Sequence, residues 1–165
     1  MQKKDLLPEN AALSASGFGR PWFALCVAFA AHIVDEASTG FLAVYNPTVI
    51  ILRQRWGWFP LPTVNLREYL ISHIVLCALL FCLTPVAARG TAGLRPLAWA
   101  YAVIMFLNGM GHTIGSVTGH TVAEVRFARP APGFYSSPLL FVAAVWLMVR
   151  LRRSAGVKFR LPSGY

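Results

Sequence analysis

Residues 21–40 read PWFALCVAFAAHIVDEASTG, and the reading of this stretch decides the fold. From Trp22 to Ala31 every residue is apolar, as a membrane helix requires. His32, Asp35 and Glu36 then follow at positions i, i+3 and i+4, which share one side of a helix. His32 lies roughly 15 Å along the axis from Trp22, which is mid-bilayer depth. A carboxylate near the centre of a membrane helix costs roughly 2.5–3.5 kcal/mol on insertion scales, and the apolar residues return only a few tenths each. One imidazole and two carboxylates must therefore face the protein interior and find partners there, which makes them a functional site by default.

Working outward, Gly19-Arg20-Pro21 starts this first helix, which is expected to run on to Asn46 and end at Pro47. Residues 48–58 interleave apolar residues with Arg53, Arg55, Trp56 and Trp58, the pattern of an amphipathic segment at the lipid interface. Asn65 followed by Glu68 predicts a capped start for a second helix, reaching about Ala88. Gly93 to Pro96 opens a third, extending to about Gly119. Ser136-Ser137-Pro138 opens a fourth, whose apolar run ends at the basic residues after Met148. The expectation is an all-α integral membrane bundle of four transmembrane helices spanning residues 19–153. A mobile tail over residues 1–18 precedes it, and a basic tail over residues 154–165 follows.

Four spans put both termini on one side of the membrane. That side carries ten basic residues and the other five, which predicts that both termini are cytoplasmic. The net charge of +9 is thereby read as positive flanks against anionic lipid, and nucleic-acid binding is not expected. Apolar residues make up 56% of the 165 residues and charged residues 13%, far from a disordered composition. Cys26, Cys77 and Cys82 all sit in apolar runs without a C-x-x-C pattern and are read as small apolar fillers. Basic residues, an apolar run and Ala28-Phe29-Ala30 also fit a cleavable signal peptide, but the stretch before the apolar run is long for one.

On the third helix Asn108, His112 and Ser116 recur every four residues, beside Gly111, Gly115 and Gly119. The glycine stripe is a small-x-x-x-small pattern that admits another backbone. Counted from the cytoplasmic face, His32 to Glu36 lie roughly 15–21 Å up, Asn108 and His112 roughly 18–24 Å up, and His73 near 22 Å. All fall in one layer. His120 lies at the helix end and is assigned no role.

His32-Ile33-Val34-Asp35-Glu36, Asn108-Gly109-Met110-Gly111-His112 and Ala131-Pro132-Gly133, in that order, resemble the motifs of the HXXEE family of small bacterial membrane proteins. Asp35 stands where that family has its first Glu, and Pro130 where it has a tyrosine. The family's function is unknown, so the resemblance implies an architecture, a bacterial plasma-membrane location and a set of polar residues.

His32, Asp35, Glu36 and His112 are acceptable ligands for zinc, iron or manganese, with Asn108 as an orienting neighbour. They would serve equally as a metal-free acid and base. No dinucleotide fingerprint, phosphate loop or serine-nucleophile motif is present. The leading expectation is an intramembrane enzyme hydrolysing or isomerising a lipid or other apolar substrate. The alternatives are a lipid-binding or partner-stabilising subunit with a structural polar cluster, and a proton or ion relay. An enzyme needs a pocket at the cluster, structural glue would leave none, and a relay needs polar contacts to both faces.

Overall fold

Phe18 and Pro21 set the start of the first helix. The Phe18 amide donates to Ala87 O (3.0 Å), and Pro21 occupies the first turn, where its missing N–H is not needed. The computed structural model describes residues 17–156, with side chains to residue 154; the expected tails fall largely outside it. The described chain forms α1 (Gly19–Ser38), α2 (Leu42–Arg55), α3 (Leu66–Cys82), α4 (Thr84–Ala88), a 3-10 turn (Ala92–Leu94), α5 (Arg95–Thr118) and α6 (Ser137–Gly156). No strand is present among the described residues, only an isolated bridge between His120 and Arg126.

α1 is the central element because its buried residues recur around several of its faces. Trp22, Leu25, Cys26, Phe29 and Ile33 are all buried, and α1 packs against α3, α4 and α6. The Trp22 indole donates to Leu80 O at the end of α3 (2.9 Å), and the Tyr101 hydroxyl of α5 donates to Leu25 O (3.2 Å). α5 and α6 approach closely through small residues: Ala98, Ala102, Ala143 and Ala144 are all buried. Arg95 closes this pair by donating to Leu151 O (2.6 Å) and Ser154 Oγ (2.9 Å).

The expected run of the first helix to Asn46 is corrected. α1 stops at Ser38, and the chain turns 90° before α2. Gly40 adopts φ +77°, and the Phe41 amide reaches back to Glu36 O (3.0 Å), the long bond of a Schellman stop. Pro47 does not end a helix. It lies inside α2, which begins at Leu42 instead of Thr48. Trp56 and Trp58 stack just after α2 with centroids 6.4 Å apart. The Asn65–Glu68 capping box forms as expected, with reciprocal bonds of 2.9 Å, and Gly119 closes α5 in the left-handed conformation.

Two stretches are long and apolar enough to cross a membrane, Leu66–Ala88 and Ala92–Thr118. The bent pair α1 and α2 makes a third if it is one broken span. α6 carries Arg150, Arg152 and Arg153 in its last turns and does not qualify. Length and apolarity thus support two or three spans, not the four expected from the sequence, and they point to a membrane protein. Beyond its first turn α3 leaves Ile71, Ile74, Val75 and Leu79 exposed on one side, an apolar strip such as a lipid-facing surface carries.

Candidate functional site

His32 and Glu36 share one side of α1, and both are buried, at 0% and 4% exposure. Glu36 Oε1 lies 3.4 Å from His32 Nε2 and 3.1 Å from Nε2 of His112, which enters from α5. The two imidazoles meet edge to face with centroids 4.8 Å apart. The other carboxylate oxygen, Oε2, accepts the hydroxyl of Tyr69 from the first turn of α3. Three helices thereby converge on one carboxylate.

Asp35 does not join this group. It is one residue and 100° of helix away from Glu36. Its Oδ2 accepts both the Ser136 amide and the Ser136 hydroxyl (2.8 Å each), just before α6. With its proton turned to Asp35, Ser136 Oγ is left to accept from His32 Nδ1–H (2.7 Å). His32 Nε2 is thereby left to face the Glu36 carboxylate, as a lone pair in the neutral ring or as an N–H in the imidazolium. That nitrogen is buried and lies 3.4 Å from Glu36 Oε1. A carboxylate acting through a hydrogen bond on the far nitrogen of a histidine is the usual support of a metal ligand.

The loop between α5 and α6 closes over the cluster. A Cβ on Gly133 would lie 2.9 Å from Glu36 Cγ, 2.9 Å from His112 Cε1 and 3.0 Å from His32 Cε1. Gly133 also has φ +82°, so both its backbone and the space demand glycine. Its amide donates to Thr39 Oγ1 (3.0 Å), its carbonyl accepts Ser137 Oγ (2.7 Å), and Ser116 Oγ accepts the Ala131 amide (2.9 Å). The glycine stripe on α5 serves this loop. Gly115 faces Phe127 and Ala131, Gly111 is open, and α6 makes its close approach at Gly109, outside the stripe.

Asn108 lines, with His112, a largely apolar pocket of about 320 Å³ that includes Phe41, Ile114, Phe127 and Pro132. A smaller one, about 190 Å³, is lined by Glu36, Tyr69 and again Phe41. His73 stays outside: its Nδ1–H donates to Tyr69 O (2.7 Å) and its ring packs on Tyr69. His120, assigned no role from the sequence, is half-buried in the wall of the larger pocket. Cys26 is buried and Cys82 exposed, and all three thiols are free.

His32 Nε2, Glu36 Oε1 and His112 Nε2 belong to a group whose ligand atoms all lie within 4.8 Å of one another. Zinc ligands at about 2.0–2.1 Å in a tetrahedron stand roughly 3.3 Å apart. The two observed N···O separations, 3.4 and 3.1 Å, match that edge. Two histidines and one carboxylate are a donor set that would suit zinc, iron or manganese, and His112 also lines the larger pocket.

Comparison with known proteins found no matching family model, no matching curated protein and no matching solved structure.

Proposed function

We propose that His32, Glu36 and His112 bind a divalent metal within the membrane and that the site hydrolyses or isomerises a lipid or other apolar substrate. The observation that carries this reading is that His32 Nε2, Glu36 Oε1 and His112 Nε2 converge in a buried cluster, with ligand atoms within 4.8 Å of one another. The pocket beside His112 supports an enzyme over glue, because it offers apolar room where chemistry would take place. The core of α1 below the cluster, Trp22, Leu25 and Phe29, is apolar, which weighs against a path for protons or ions.

A bound metal would act as a Lewis acid and lower the pKa of a coordinated water. The residues here do the rest. Ser136 and Asp35 fix the His32 ring. Tyr69 holds Glu36 Oε2, so that Oε1 points to the two imidazoles. Asn108, one turn before His112 in the same pocket, orients the substrate. A metal-free reading, in which Glu36 and His112 exchange a proton directly, draws on their 3.1 Å contact.

The wider proposal is a four-span protein of a bacterial plasma membrane with both termini cytoplasmic, in which α1 with α2 and α6 complete the bundle. It draws on the arginine distribution and on the HXXEE resemblance, whose three motifs meet at one place: His32 and Glu36, His112, and Gly133.

The test is metal content of detergent-purified protein by mass spectrometry, wild type beside Glu36→Gln and His112→Ala. One equivalent in the wild type and loss in both variants is expected. No metal in the wild type after loading with zinc, iron and manganese in turn would refute the metal site and leave the acid/base reading.

A further inference from the structure

The end of the bundle away from the His/Glu cluster has a charge pattern of its own. Among the described residues it holds six arginines, at positions 20, 89, 95, 150, 152 and 153, and no carboxylate. All four described carboxylates, Asp35, Glu36, Glu68 and Glu124, lie towards the other end. Within the basic end a wide slot of about 770 Å³ opens between the start of α1, α4 and the end of α6. Arg20, Arg150 and Arg153 line it, together with Phe23, Thr84 and Trp146.

The order of these residues along their helices is informative. α1 runs inward from Gly19, so Phe23 lies deeper than Arg20. α6 runs outward to Gly156, so Trp146 lies deeper than Arg150 and Arg153. Trp146, Arg150 and Arg153 stand at i, i+4 and i+7, on one side of α6. Both helices thus present cations at the mouth and a half-exposed aromatic ring one turn further in. The first turn of α1, which has no side-chain cap, lies in the same wall. Arg150 is partly committed, since its Nε donates to Gly17 O (3.0 Å), while Arg20 and Arg153 are exposed.

We propose that this slot binds an anionic phospholipid, its phosphate at Arg20 and Arg153 and its acyl chains along Phe23 and Trp146. A free anion would need the arginines but not the aromatic floor, and an annular zwitterionic lipid would not need the converging arginines. The inference rests on the membrane reading and not on the metal site, from which the slot is separated by most of the length of α1.

The experiment is native mass spectrometry of the delipidated full chain in detergent, titrated with phosphatidylglycerol and with phosphatidylcholine of the same chains. The wild type is expected to prefer phosphatidylglycerol, and the preference to weaken with salt. Each arginine near an anionic lipid surface accounts for roughly fivefold in binding, so Arg20→Gln with Arg153→Gln should lose roughly thirtyfold. Arg53→Gln with Arg55→Gln, at the other end, should keep the preference. Equal retention of the two lipids by the wild type, or an unchanged preference in the Arg20/Arg153 variant, would overturn the proposal. Complete displacement of phosphatidylglycerol by excess inorganic phosphate would overturn the lipid assignment and leave a phosphate site. The wild-type preference and its salt dependence need no variant, so a misfolded variant does not shelter the idea. Metal content, measured on the same samples, is expected to stay unchanged throughout.

Discussion

Replacing Gly133 by alanine adds one methyl group at the point where the loop touches all three candidate ligands. The new Cβ would stand 2.9 Å from Glu36 Cγ and His112 Cε1 and 3.0 Å from His32 Cε1. Ordinary contact begins near 3.4 Å, so the loop or the ligands must give by about half an ångström. None of these three atoms is the free end of a flexible chain, because each side chain is held in the cluster. Alanine at φ +82° adds roughly 1–2 kcal/mol of backbone strain, and overpacking roughly 1–3 kcal/mol more. The expected loss is about 2–5 kcal/mol of stability, together with a drop in metal occupancy as the ligand edges spread. The assay is denaturation in detergent beside metal content, with Gly111→Ala as the comparison. A Cβ on Gly111 meets nothing within 4 Å, so that variant should be neutral or gain about 0.5–1 kcal/mol as a helix-interior alanine. If Gly133→Ala matches Gly111→Ala in both readouts, the loop does not press on the triad and the closure described above is wrong.

Tyr69→Phe leaves Glu36 Oε2 buried without its donor and should cost about 1–3 kcal/mol; an unchanged denaturation midpoint would mean that the phenol is not engaged. Ser136→Ala frees the His32 ring to choose its tautomer, and a loss of roughly 10–100-fold in metal affinity is expected with helix content intact. Equal affinity in a metal titration would show that His32 needs no such support. Trp22→Phe removes the indole bond to Leu80 O that ties α1 to the end of α3, costing about 1–3 kcal/mol; it should leave metal content unchanged, since the cluster lies three turns away.

Much of the site was legible from spacing. The i, i+4 placement of His32 and Glu36 and the matching depth of His112 bring those three together, because helical periodicity and a common membrane thickness are strong constraints. The same spacing misled for Asp35. Residues i+3 and i+4 lie 100° apart, enough to send Asp35 towards the start of α6 while Glu36 faces α3 and α5. Tyr69 was missed because its partner is 33 positions away and nothing local marks it. The capping box at Asn65 and Glu68 did place it in the first turn of a membrane helix. Ser136, read only as a helix start, is 104 positions from His32. The bend after α1 was expected at Pro47. Proline removes one donor, which a helix can survive, whereas Gly40 offers the left-handed turn that a Schellman stop requires.

That bend has a consequence for the space above the cluster. Phe41, the first residue past Gly40, belongs to the walls of both the larger pocket and the smaller one. Its ring packs on Tyr69 to one side, with centroids 6.0 Å apart, and on His112 to the other, at 5.9 Å. A single aromatic side chain thus borders two pockets. The carboxylate of Glu36 opens on one of them and the imidazole of His112 on the other. A bulkier or smaller side chain at position 41 would therefore be felt on both sides of the cluster, by the phenol that holds Glu36 and by the imidazole of His112.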